Sequence, residues 1–150
     1  MIKTIVAGGL AALALCGCMT AEQEARNRAG YEAVEVKLQE AESRAWVECV
    51  GPVNCDKAWA ITKTYVMQSS GMAVRLSDEV LIDTFPPMQY GMPSFRATRE
   101  PSGAKTVIRL SGICGGMYNR DGTAGPNYDE CALKVGGAQN LYRKFVNERM

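Results

Sequence analysis

Six cysteines, eight methionines and no histidine set the chemistry open to this 150-residue chain. Without histidine no Ser-His or Cys-His pair can form within it, and its serines lack a GxSxG or SxxK setting. Carboxylates remain as acid-base groups, with Asp78 and Asp83, or Asp129 and Glu130, as possible partners. A two-carboxylate hydrolase depends on a separation that no sequence spacing supplies, and acids beside turns are ordinarily solvated. The segment NRDGTAGPNYDE offers Asp121, Asn127, Asp129 and Glu130 as hard oxygen ligands for calcium, but it lacks the EF-hand pattern. Asp and Asn favour such turns for local reasons alone. Soft-metal chemistry would fall to Met88 and Met92 in one Pro-rich segment, with Met67, Met72 and Met117 elsewhere, since thioethers suit Cu(I). Methionine also fills cores and adaptable binding surfaces. The balance points away from an enzyme and from a resident cofactor, leaving copper or small-ligand binding as the alternative to a binding protein.

The cysteines say more, beginning with their place in the chain. Lys3 precedes eleven uncharged residues, Ile5 to Leu15, that are almost all apolar or glycine. A membrane-spanning helix needs about 20 apolar residues, whereas about 7 to 15 suit an export signal. The run ends LALCGCMT, and Leu15-Cys16-Gly17-Cys18 resembles the bacterial lipoprotein signal, in which a small residue precedes the lipid-bearing cysteine. Choosing Cys16 would place bulky Leu15 at the small position, so the pattern selects Cys18. The resemblance covers the first 18 residues. It implies cleavage before Cys18, acylation of that residue and a membrane anchor, each buried methylene contributing about 0.8 kcal/mol. Met19, where an Asp would signal retention at the inner membrane, implies the outer membrane, with the body facing the periplasm. Residues 1–17 are then the signal, 18–48 a lipidated tether and helix, and 49–150 the main domain.

Export makes pairing of the other four cysteines the expectation, because thiols outside the cytoplasm tend to oxidise. Three connectivities are open. Cys49 with Cys55 and Cys114 with Cys131 are favoured, since each pair brackets a turn-rich stretch; zinc is disfavoured by the missing CxxC and histidine. The mature chain is formally neutral, with 17 basic and 16 acidic residues less Lys3, and it has no run of Lys and Arg. A nucleic-acid partner is not indicated.

Several elements must position these groups. Residues 19–30 read as a loose tether weakened by Gly30, and 31–48 as a helix with a narrow stripe of Tyr31, Val34, Leu38, Ala41 and Ala45. A second helix begins near Asn54 or Asp56 and ends before Gly71, burying Ala58, Trp59, Ile61, Thr62, Tyr65 and Val66. Period-two segments MAVRLS, VLIDTF, SFRATR and AKTVIRLSGIC then predict a four-stranded antiparallel meander. A closing helix places Cys131, Val135, Ala138, Leu141, Tyr142 and Phe145 on its apolar side, with Gly136-Gly137 as its weak point.

Helices before and after strands predict an α+β domain with helices on one sheet face. Its best partner surface is the loop FPPMQYGMP, which should present Phe85, Met88, Tyr90 and Met92. That loop is longer than a usual strand connection, as functional loops often are. The expected function is therefore a noncatalytic envelope lipoprotein that binds a protein partner.

Overall fold

The computed structural model describes residues 20–150; residues 1–17, expected to be a signal, and Cys18 lie outside the described residues. The architecture is α+β, with three helices and five antiparallel strands among the described residues. Helix α1 spans Ala21–Arg44, β1 Trp46–Cys49, α2 Pro52–Ser69, β2 Val74–Ser77 and β3 Leu81–Thr84. They are followed by β4, Pro93–Ser102, β5, Lys105–Cys114, and α3, Tyr128–Asn147. The sheet order is β1-β5-β4-β3-β2.

The expected meander is present as β2 to β5, but a fifth strand corrects the four-stranded expectation. Trp46–Cys49 pairs with Thr106–Arg109, some sixty residues away, where the sequence pattern had continued the first helix. Four residues behind a long helix-forming run carry little local signal. Their strand state is decided by the free edge of β5. The helix itself begins earlier than expected, at Ala21, where the Thr20 side chain accepts the Gln23 N–H at 3.3 Å. Gly30 costs about 1 kcal/mol relative to alanine but does not interrupt a segment otherwise rich in Ala, Glu, Gln and Arg.

Pro52 opens α2, with Gly51 as the cap, displacing the expected start at Asn54 or Asp56. Proline at the first helical position loses nothing, because that N–H would have no helical acceptor. Between β4 and β5, the hairpin is also longer than the sequence suggested. Ser102 pairs with Lys105, leaving Gly103 and Ala104 as the turn. Pro101 is tolerated within β4 because β3 ends short of it: the Arg99 N–H already reaches past the strand to Val80.

Helices α2 and α3 cover one sheet face, where Val47, Ile82, Phe95, Ala97, Ile108 and Leu110 form the centre of the core. Within it, the Tyr142 and Thr62 hydroxyls meet at 2.8 Å, and the Tyr65 hydroxyl donates to the Ala138 carbonyl at 2.5 Å. The other face carries exposed Glu48, Arg96, Arg109 and Ile113. Helix α1 lies against α3. Gly136 permits their approach, since a Cβ there would stand 3.2 Å from Leu38 Cδ2. The apolar side expected for α3 holds at Cys131, Val135 and Tyr142, whereas Leu141 is exposed. No helix among the described residues is long and apolar enough to cross a membrane.

Candidate partner-binding surface

The loop between β3 and β4 begins as β3 leaves the sheet and ends where β4 starts beside Cys114. It is tied down at several points. The Gly91 N–H donates to the Gly115 carbonyl at 2.7 Å, and the Gly115 N–H returns to the Met92 carbonyl at 3.0 Å. Lys134 Nζ donates to the Gly91 carbonyl at 2.8 Å and to Glu130 Oε1. At Gly115 the Gln89 carbonyl passes so close that an added Cβ would stand 2.0 Å from its oxygen. Only glycine fits there.

This fastening has a counterpart on α3, because Cys131 is bonded to Cys114 at the end of β5. The second disulfide joins Cys49 to Cys55, securing β1 to the first turn of α2. Both pairings are those favoured by the turn-rich stretches.

Three of the four residues expected in the partner surface are exposed: Met88 by 81%, Tyr90 by 72% and Phe85 by 48%. Met92 is partly buried beside Gly71. Two further apolar residues lie near the same end of the sheet, Ile113 at 58% exposure and Tyr118 at 44%. They line a cleft of about 480 Å³ with Pro86, Ser94, Ser111 and Arg96. Sequence reading missed both. Ile113 is opposite Ser94 in the β4–β5 register, which no local pattern specifies.

The cleft borders a charged group in which Asp83, only 5% exposed, accepts from two guanidiniums. Arg96 Nε reaches Oδ1 at 3.2 Å, and Arg75 Nε reaches Oδ2 at 3.1 Å. Burial alone would raise the Asp83 pKa, yet hydrogen bonds from Arg96 and Arg75 outweigh it and hold the carboxyl below its usual range. Asp78 is drawn down by the backbone N–H groups of Val80 and Leu81, which it caps at 2.9 and 2.8 Å. These two acids therefore serve separate tasks, one in a sheet-face ion group and one in a hairpin turn.

The other chemistry-bearing residues have local roles as well. Asp121 accepts from the Thr123 N–H and hydroxyl, while Glu130 accepts from Asn127 at 3.0 Å and pairs with Lys134. Among the described residues no group of three or more Asp, Glu, Cys or His could hold a metal ion. Met72 and Met117 are buried in packing positions, whereas Met67 stands exposed on α2.

A polar junction behind the loop fastens α1. Glu35 Oε1 accepts from the Tyr118 hydroxyl at 2.9 Å and from the Tyr128 hydroxyl at 2.7 Å. The Tyr31 ring lies 4.8 Å from that of Tyr128. Burial, followed by the hydrogen bond and charge of Glu35, raises the pKa of both Tyr118 and Tyr128 well above the usual phenol range. No family model, curated protein or solved structure matches this chain.

Proposed function

We propose that this protein is a noncatalytic envelope lipoprotein, anchored in the outer membrane through acylated Cys18, whose periplasmic domain binds a protein partner. The observation that carries the binding proposal is the exposure of Met88 and Tyr90 on a loop fastened to Gly115 and Lys134. Large apolar side chains on an already ordered backbone favour association, because less conformational freedom is lost when the partner arrives. Aromatic and Met residues are also the types enriched at interface centres. The cleft beside Ile113 and Tyr118 extends this surface with a recess for a partner side chain.

The two disulfides fit an oxidising compartment and so support the exported location. Replacing Phe85, Met88 and Tyr90 together by Ser in the anchored full-length chain should abolish recovery of the partner. Stability should change by less than about 0.5 kcal/mol, because exposed loop side chains contribute little to a core. Unchanged recovery would move the interface elsewhere. Copper bound stoichiometrically by the wild type and lost with Met88 would replace this reading with soft-metal binding.

A further inference from the structure

Resting on the proposed anchor at Cys18, we infer that the loop end faces the membrane and that the partner is a protein embedded in that membrane. The direction of α1 carries the argument. Along α1, Tyr31 meets Tyr128, Glu35 meets Tyr118 and Tyr128, and Leu38 meets Gly136. Increasing numbers in α1 thus meet increasing numbers in α3, so the helices run parallel. The start of α1 emerges at the end of the domain where α3 begins.

That end is also where the partner surface lies. Cys131 in the first turn of α3 is bonded to Cys114, and Lys134 holds Gly91. The Gly103-Ala104 turn is at the far end of β4 and β5. Ten residues of strand separate these ends by about 33 Å.

The anchor is close to the nearer end. Two residues, Met19 and Thr20, stand between Cys18 and Ala21, a reach of at most about 11 Å. Residues 21–30 precede Tyr31, whose ring meets that of Tyr128 at the start of α3, and ten helical residues rise about 15 Å. With the helix upright, these lengths keep the loop end within about 26 Å of the lipid-bearing residue. The Gly103-Ala104 turn is more distant by most of a strand length. Residues 21–30 are exposed and mostly polar, as suits a stalk through water.

The standoff also selects the partner. Phe85, Met88 and Tyr90 are exposed, and on a tether of that length they would meet the water-facing loops of a membrane protein. A lipid surface would call for a basic cluster, whereas here Lys134 is paired with Glu130, and Arg26 with Glu22. A membrane-embedded protein fits both the height and the apolar chemistry.

The test uses the full-length acylated chain in vesicles of phosphatidylethanolamine and phosphatidylglycerol carrying a headgroup acceptor dye. Donors attached through Met88→Cys or Ala104→Cys should show severalfold greater energy transfer from position 88. Equal or greater transfer from position 104 would overturn the orientation. Flotation read in the same samples separates the two proposals: a chain that fails to float removes the anchor and this inference together, whereas flotation with reversed transfer removes only the inference.

A second experiment tests the occupant. Seven helix-forming residues inserted after Glu24 lift the domain by about 10 Å while nearly preserving the direction of the helix face. A photo-crosslinker at position 88 should form an adduct with an integral membrane protein in cells, falling at least about tenfold after insertion, a loss of roughly 1.4 kcal/mol or more. Unchanged flotation and thermal midpoint would show that lifting, not misfolding, caused the loss. An adduct retained after insertion, an adduct with a soluble protein, or quenching of the position-88 donor by acyl-chain bromine would overturn the proposed partner.

Discussion

The two ends of this domain are each closed by a disulfide, yet they are built differently. At one end Cys49–Cys55 closes a separation of six residues, and the neighbouring connections are Gly103-Ala104 and the Asp78-capped hairpin. Exposed ion pairs such as Lys105–Glu48 lie on its surface. At the other end Cys114–Cys131 spans seventeen residues, and two long loops are fastened together across Gly91, Gly115 and Lys134. The first end exposes Val50, Val53, Val80 and Met150, while the second exposes two aromatic rings, Phe85 and Tyr90, together with Met88. Short turns satisfy themselves. Long loops need tertiary fastening, and once fastened they can hold large apolar groups in solvent.

The largest expected difference between the ends is in their disulfides. Replacing Cys114 and Cys131 by Ala should destabilise by about 3 kcal/mol, against about 2 kcal/mol for Cys49 and Cys55, because the longer loop restricts the unfolded chain more. Urea denaturation midpoints, with the slopes compared, would check this. Equal losses would mean that the longer closure has no special weight.

A smaller difference is expected at two glycines. Gly115→Ala must push back the Gln89 carbonyl and should cost about 2 kcal/mol. Gly103→Ala has open space but a φ of 63°, so it should cost about 1 kcal/mol. Only Gly115→Ala should also speed amide exchange at Gly91 and Met92. Exchange unchanged there would break the claim that this contact orders the loop.

The subtlest test concerns the junction that fixes the direction of α1. Glu35→Ala removes the acceptor shared by Tyr118 and Tyr128 and should cost about 1 kcal/mol at neutral pH. Both phenols are raised in the folded protein, so their stabilising contribution is complete below about pH 10 and is lost as pH rises through their folded values. In the variant both phenols should ionise at lower pH in the folded protein, because the hydrogen bond and charge of Glu35 help to raise both groups. Phenolate absorbance of the folded proteins, followed up to the onset of alkaline unfolding, would reveal it. An identical onset of phenolate absorbance in the two proteins would assign the shifts to burial alone.

The sequence by itself determined the α+β class, the four-strand meander and the closing helix, because their apolar periods are long enough to express a preference for each backbone state. It also pointed to the cysteine partners and to a loop exposing Phe85, Met88 and Tyr90, since turn residues mark where a chain must leave its sheet. Tertiary structure decided the fifth strand: Trp46–Cys49 has too few residues for a period, and its state depends on the distant edge of β5. It likewise decided that Met92 turns inward, that Ile113 and Tyr118 join the cleft, and that Asp83 gathers Arg75 and Arg96. Register determines which side chains become neighbours, and register is set by packing between strands far apart in the chain. The parallel course of α1 and α3 is a long-range choice of the same kind, made by Glu35, Tyr118, Tyr128 and the space left at Gly136.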